Sequence, residues 1–240
     1  MIPILTYHQI GRPEPKGSPY RALTVHPSDF RRQMVWMRRL GYCGLAMRDL
    51  MPYLKGERQG KVFGITFDDG YRNVYQNAMP VLDELRFTAT NYFVARQLDG
   101  SNVWDAQKGV APSALMSADE MRAWDQAGHE VGCHTLDHVH LSELSPELAE
   151  YQIVQAKHEL EQALGAPVTA FCYPYGNETP AIRAMVQRAG YHNATTTVRG
   201  LVRPSDDLYG IPRVPISRST HILRFMQKCL TRLEDRRRKD

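Results

Sequence analysis

Short strand-like segments alternate with longer helical segments along the whole chain, and this alternation restricts the fold more than any other feature. The strand-like segments are rich in Val, Ile, Thr, Tyr and Phe, which pack well on a pleated sheet. A repeated strand–helix order predicts a parallel α/β sheet, either open or closed into a barrel. The predicted strands span residues 2–8, 61–67, 88–95, 129–135, 168–174, 193–198 and 211–216.

Helix-boundary signals fall between these strands. Ser28 is expected to cap a helix that ends at Gly41. The sequence SADE at 117–120 is typical of a capping box, and Gly128 is expected to end the helix that follows it. These signals support the strand–helix alternation.

Composition and charge exclude several classes of protein. With 240 residues, 42% of them hydrophobic and 23% charged, the chain is predicted to fold as one globular domain spanning 1–240. Much of the net charge of +4 lies in the tail 232–240, which we interpret as a solvated terminus. The sequence contains no stripe of basic residues interleaved with aromatic residues, so a nucleic-acid-binding surface is not expected. Since no CxxC pair occurs, free thiols are expected at Cys43, Cys133, Cys172 and Cys229.

The N-terminal residues 1–13 carry no basic region and only a short apolar run. Neither a signal peptide nor a membrane span is therefore expected there. A cytoplasmic location is the prediction, although a processed form of an exported protein would look the same. The segments 11–24 and 97–116 are expected to form loops over one face of the sheet.

Two neighbouring carboxylates, Asp68 and Asp69, directly follow the predicted strand 61–67. In parallel α/β folds the chemistry gathers at the carboxyl ends of the strands. Two carboxylates this close would repel each other. A divalent cation bound by one of them would remove this problem and leave the other free to act as a base. The alternative interpretation is a surface turn, because DDGYRN consists largely of turn-forming residues.

A pair of histidines follows the predicted strand 129–135. His134 and His138 are four residues apart, so their imidazoles can face one point on a helical turn or in a tight loop. Two imidazoles and one carboxylate form a set of metal ligands that leaves positions open for water. The spacing favours His138 over His140, which stays an alternative. Cys133 precedes His134 in the strand, so its side chain is expected to point away.

The segment FCYPYGNE, residues 171–178, lies at another predicted strand end. Its proline restricts the backbone on both sides. A rigid loop of this kind can aim a backbone N–H at a developing oxyanion. The alternative is an ordinary strand-to-helix turn.

Together the motifs TFDDG, HTLDH and FCYPYG, in this order, resemble those of the polysaccharide deacetylases, the NodB-homology domain of carbohydrate esterase family 4. ILTYHQI, NYFV and IPRVPI add to the likeness, which covers roughly residues 2–225. The third motif is most similar to the branch that acts on exopolysaccharides such as poly-N-acetylglucosamine.

The resemblance implies a distorted (β/α) barrel of about seven parallel strands. It also implies that Asp69, His134 and His138 bind one divalent ion, expected to be Zn²⁺, with Co²⁺, Ni²⁺ or Mn²⁺ as alternatives. Asp68 would take a proton from a water that attacks the acetyl carbonyl. The backbone N–H of Tyr175 would stabilise the oxyanion, and acetate and an amine would result.

The chain departs from the family pattern at two places. Cys172 stands where many members carry an arginine that orients the base, and Arg213 is the candidate to supply that charge from another strand. No clear motif carries the acid histidine, for which His221 and His8 are candidates. The segment VWD could bring Trp104 and Asp105 to the rim of the site. The expected substrate contacts are Tyr173, Trp104 and His8.

An N-acetylated sugar or polysaccharide is the predicted substrate. An amidohydrolase of the same fold, acting on a non-sugar C–N bond, is the first alternative. A glycan-binding module without activity is the second, but it would be expected to lack the base or a ligand, and all four residues are present. The sequence does not indicate the oligomeric state.

Overall fold

The computed structural model describes residues 1–238. Within these residues the chain forms ten strands, all pairing in parallel. They are β1 (Ile4–Tyr7), β2 (Gln9–Ile10), β3 (Thr24–Val25), β4 (Cys43–Leu45), β5 (Val62–Phe67), β6 (Thr90–Phe93), β7 (Glu130–Cys133), β8 (Ala170–Cys172), β9 (Asn193–Arg199) and β10 (Ile211–Pro215).

Seven of these strands close into a barrel in the order β1, β5, β6, β7, β8, β9 and β10. Closure depends on β1, which pairs with β10 on one side and with β5 on the other. The seven correspond to the seven predicted strands, and the distorted (β/α) barrel is confirmed. The carboxyl ends of all seven meet at one end of the barrel, where active sites of such folds lie.

Three short strands were not predicted. β4 pairs with the first half of β5 as an eighth strand of the sheet, and β2 pairs with β3 in a separate two-stranded ladder. Segments of two or three residues carry no readable period of hydrophobic residues.

In the described part of the chain, eight α-helices surround the barrel. The predicted capping box of α5 is confirmed, with Ser117 and Glu120 bonded reciprocally. The predicted cap of α1 is wrong, because the imidazole of His26 accepts the N–H of Ser28 and Pro27 occupies the first turn. The helices are α1 (Pro27–Arg39), α2 (Met47–Leu54), α3 (Arg72–Asn77), α4 (Met79–Leu85), α5 (Ala118–Gln126), α6 (Pro146–Leu164), α7 (Pro180–Arg188) and α8 (Ile222–Leu230).

As far as residue 238, the end of the chain packs against the barrel and does not form the predicted solvated arm. The buried carboxylate of Glu234 accepts from Arg199 Nε at 2.7 Å, and Arg238 pairs with Asp206 at 2.6 Å. Residues 239 and 240 of the predicted tail lie outside the described residues. All four cysteines are free, as predicted. Within residues 1–238, no helix combines the length and the apolar character needed to cross a membrane.

Close packing inside the barrel gives a stability prediction. A methyl group on Gly132 of β7 would clash with the ring of Tyr92, which is itself fully buried. We therefore expect Gly132→Ala to lower the free energy of unfolding by about 1–3 kcal/mol. Urea unfolding measures this effect. Gly11→Ala is the control, because its nearest neighbour would lie at an ordinary 3.7 Å; equal losses in both variants would contradict the packing argument.

Candidate active site

A cavity of about 200 Å³ opens at the carboxyl ends of the barrel strands. Three of its residues were not predicted near the site, namely Tyr20, Leu23 and Thr197, whereas Asp105 was expected at the rim. Those that were predicted are His8, Asp68, Asp69, Trp104, His134, His138, Tyr173 and Tyr175.

The backbone after β5 turns both aspartates into this cavity. In an extended strand neighbouring side chains point to opposite faces. Asp69 breaks that alternation because it adopts a left-handed conformation, with φ of +76°, and Gly70 continues it at +74°. Asp68 and Asp69 are only 4% and 5% exposed, so neither carboxylate has the surroundings of a surface turn.

One carboxylate oxygen faces two imidazoles. Asp69 Oδ1 lies 3.4 Å from His134 Nε2 and 3.2 Å from His138 Nε2. One ligand atom from each of these three buried residues lies within 4.8 Å of the others. His140 is outside this group, since its ring stacks on Tyr175 with centroids 3.8 Å apart.

Hydrogen bonds behind the imidazoles orient them. His134 Nδ1 lies 2.8 Å from the carbonyl oxygen of Cys172, which can only accept, so Nδ1 carries the proton. Nε2 of a neutral His134 then presents its lone pair towards Asp69. His138 Nδ1 lies 3.1 Å from the hydroxyl of Tyr175. Partners of this kind fix the tautomer of histidines that bind metals.

The donor set fits a divalent cation. Asp69 Oδ1 is buried and has no hydrogen-bond partner among the residues that the structure describes. A buried carboxylate oxygen without a partner is costly unless it is charged and bound to a cation. Burial raises the pKa of Asp69, but the two imidazoles outweigh it and hold this pKa well below its usual range. Burial lowers the pKa of His138, which favours the neutral form that a metal ligand needs.

Asp68 has a different partner from Asp69. Arg213 of β10 donates to both of its oxygens, with Nη1–Oδ1 at 2.7 Å and Nη2–Oδ2 at 2.8 Å. The guanidinium is 1% exposed and also donates to Thr196 O and Thr66 Oγ1. Burial raises the pKa of Asp68, yet Arg213 outweighs burial and keeps this pKa below its ordinary value. Asp68 is therefore an ionised carboxylate held in one orientation.

Cys172 leaves room for this arginine. Its Sγ lies 3.2 Å from Arg213 Nη2 and 3.8 Å from Asp68 Oδ1. The guanidinium thus reaches Asp68 from β10, two strands away from β8. Asp68, His134 and Cys172 also form a second compact group of ligand atoms within 4.8 Å.

Backbone strain concentrates around the cavity. Besides Asp69, three residues adopt a left-handed backbone conformation: Thr135, His138 and Tyr175, with φ of +65°, +56° and +60°. Such conformations cost about 1–3 kcal/mol each for residues other than glycine and persist where the surroundings enforce them. Local sequence gives no signal for this strain, because none of the three is a glycine or an asparagine.

Loop 97–116 covers one side of the cavity. Trp104 stacks on His138, with ring centroids 4.5 Å apart and planes 21° apart, so it packs on a candidate ligand. Asp105 is buried and accepts from Lys108 Nζ at 3.0 Å. The same ammonium lies 5.4 Å from the Tyr20 ring and 4.8 Å from the Tyr175 ring. The expectation that segments 11–24 and 97–116 share one face is confirmed.

Of the three other predicted site residues, Tyr173 and His8 line the cavity and His221 does not. The fully buried Tyr173 lines the cavity, and its hydroxyl donates to Tyr209 O at 2.9 Å. His8 is half-buried in the cavity wall. The structure does not place His221 with them: it is exposed and caps α8 by accepting the N–H of Arg224.

Comparison with known proteins points to one family. The sequence model of the family "Polysaccharide deacetylase" matches residues 55–194, more than half of the chain. This span contains all three motifs singled out in the sequence. A poly-beta-1,6-N-acetyl-D-glucosamine N-deacetylase of Staphylococcus epidermidis is 26% identical over 227 residues, 89% of this chain and 78% of that protein.

Solved structures show the same architecture. The Streptococcus pyogenes deacetylase PplD, in complex with acetate, has a TM-score of 0.82 and 26% identity, over 95% of this chain and 97% of that one. IcaB from Ammonifex degensii has a TM-score of 0.78 and 24% identity, over 91% of this chain and 93% of that one, and shares the fold.

Proposed function

Because the chain belongs to the polysaccharide deacetylase family, we propose that it is a metal-dependent hydrolase that removes N-acetyl groups from a polysaccharide and releases acetate. The observation that carries this function is the meeting of Asp69, His134 and His138 at one point, with the ionised Asp68 beside them. The acetate held by the Streptococcus pyogenes deacetylase supports the same reaction product.

Asp69 Oδ1, His134 Nε2 and His138 Nε2 would hold the ion. Two imidazoles and one carboxylate suit Zn²⁺, while Co²⁺, Ni²⁺ and Mn²⁺ accept similar ligands. When bound, such an ion supplies a Lewis acid for the acetyl carbonyl and for the attacking water.

Asp68 acts as the general base at one of its carboxylate oxygens. Arg213 occupies one lone pair on each oxygen and fixes the plane of the carboxylate, so the remaining lone pairs can take the proton of a water in the cavity. The backbone N–H of Tyr175 donates to the developing oxyanion. His8 is the better candidate for protonating the leaving amine, because it lines the cavity and His221 does not.

The cavity accommodates the N-acetyl group and its sugar, with the rest of the glycan outside. Its volume of about 200 Å³ lies below the roughly 300–1,000 Å³ of pockets that enclose drug-sized ligands. Tyr173 forms part of the wall, and Trp104 orients His138 by stacking on it. The single catalytic domain spanning 1–240 and the cytoplasmic location stay predictions.

Chelation tests the metal requirement. We expect acetate release from an N-acetylglucosamine oligomer to fall to background after dialysis against a chelator and to return with one equivalent of Zn²⁺, Co²⁺, Ni²⁺ or Mn²⁺. Simple amides without a sugar, assayed in parallel, separate this function from a general amidohydrolase. Acetate release that persists in fully metal-free protein would overturn the proposal.

Two histidine variants test which imidazole binds the ion. His138→Ala is expected to lower metal content well below one ion per chain, because it removes one of three ligands. His140→Ala is the matched control and should keep one ion, since its ring stacks on Tyr175 outside the ligand group. Metal analysis of both purified variants decides between them, and the reverse pattern would assign the ligand to His140.

A further inference from the structure

A second depression continues from the cavity along the barrel rim. It has a volume of about 460 Å³ and shares Tyr20 and Leu23 with the cavity wall. Loop 11–24 and the segment after β10 form it, and the N–H of Arg218 joins them by donating to Ala22 O at 2.9 Å. A glycan with one sugar in the cavity would place a neighbouring sugar here. We call this depression the arginine groove, after Arg21 and Arg218 in its walls.

The arginine groove carries uncompensated positive charge. Neither Arg21 nor Arg218 pairs with a carboxylate within residues 1–238, and no acidic residue lines the groove there. Arg21 Nε donates to the backbone carbonyl of Glu14 at 2.5 Å, which leaves the charge of the guanidinium unbalanced. Glu14 and Arg21 both line a second pocket on the other side of Tyr20, but the two residues form no ion pair.

Two other cations near the cavity are balanced. Lys108 Nζ forms an ion pair with Asp105 at 3.0 Å, and the charge of Arg213 is balanced by Asp68. The unbalanced charge of Arg21 and Arg218 therefore lies in the arginine groove, away from the reacting group.

We propose that the arginine groove binds an anionic group, a carboxylate or a phosphate, carried by the sugar next to the one that loses its acetyl group. This substrate class rests on the proposed deacetylase function. Guanidinium groups bind carboxylate and phosphate through paired, charge-assisted hydrogen bonds, which sugar hydroxyls cannot match. Tyr20 and Leu23 supply an apolar surface for the sugar ring. The positive charge of the arginine groove also repels a neighbouring sugar that has already lost its acetyl group, because its free amine is cationic.

Substrate comparison tests this inference. Three N-acetylglucosamine tetrasaccharides of equal length are compared: a neutral one, one with a uronate beside the target sugar, and one with a phosphomonoester there. We expect kcat/KM for one or both anionic forms to exceed that of the neutral form by roughly fivefold or more. The preference should shrink as salt rises from low to physiological ionic strength, because these charges are exposed. The two anionic arms distinguish a carboxylate from a phosphate.

Variants link the preference to the groove. Arg21→Gln and Arg218→Gln are expected to bring the ratio of anionic to neutral kcat/KM towards one, mainly through KM. Arg58→Gln is the control, because Arg58 is exposed before β5 at the opposite end of the barrel. It should leave the ratio unchanged.

The outcomes separate this inference from the proposed function. Equal kcat/KM for neutral and anionic forms, or a preference that survives both groove substitutions, would overturn the anionic substrate while the deacetylase function stands. Absence of acetate from all three tetrasaccharides with metal-loaded protein would overturn both.

Discussion

Asp68→Asn is expected to lower acetate release by about 10²–10⁴-fold while the protein keeps one metal ion per chain. The substitution preserves the shape of the side chain but removes the carboxylate that accepts the proton, and general-base catalysis is worth about this much. Asp68 lies outside the group of three candidate ligands, so metal content should not change. An acetate assay and metal analysis on the same preparation measure both quantities.

Asp69→Asn is the informative comparison. It alters the oxygen that faces both imidazoles, so it should lower metal content and activity together. Asp119→Asn, on the exposed surface of α5, controls for the loss of one negative charge. If Asp68→Asn released acetate at the unsubstituted rate, Asp68 would not be the base. If it lost the metal instead, Asp68 would belong among the ligands.

Arg213→Met is expected to lower the free energy of unfolding by about 3–5 kcal/mol at pH 7. The substitution leaves Asp68 as a buried carboxylate without its ion pair, which is the costly way to break such a pair. The loss should shrink as pH falls towards about 4, near the ordinary pKa of an aspartate. In the unsubstituted protein Arg213 holds the pKa of Asp68 below that value, so the pair stabilises the fold above it and loses its effect as Asp68 protonates. Urea unfolding across pH measures this.

The double variant Asp68→Asn/Arg213→Met tests the cause. Removing both charges should recover part of the stability lost in Arg213→Met, since no unpaired buried charge remains. If the loss of unfolding free energy in the double variant equalled the sum of the losses in the two single variants, the ion pair would contribute nothing beyond packing.

Much of the fold could be predicted because its signals are local. Each barrel strand contains β-branched or aromatic residues, and helix caps such as Ser117 mark the segments between the strands. The strands β2 to β4 could not be predicted, since their pairing depends on what the barrel places beside them. The cap of α1 was mispredicted because histidine is a rare capping residue that propensity rules rank behind serine.

The candidate site likewise contains residues that could be predicted from the sequence and others that could not. Asp68, Asp69, His134 and His138 could be found because each follows a barrel strand, and the carboxyl ends of those strands must meet. The pairing of Arg213 with Asp68 was suggested only by the cysteine at position 172, where the family pattern expects an arginine. The stacking of Trp104 on His138 and the arginine groove depend on how long loops pack, which no local pattern encodes. His221 could not be told apart from a helix cap by sequence alone.

The most direct test is a crystal structure of the metal-loaded protein with anomalous diffraction measured at the absorption edge of the bound ion. We expect one anomalous peak per chain, at about 2.0–2.2 Å from Asp69 Oδ1, His134 Nε2 and His138 Nε2, with Asp68 still paired to Arg213. A peak between Asp68, His134 and Cys172 instead, or none near Asp69, would contradict this expectation.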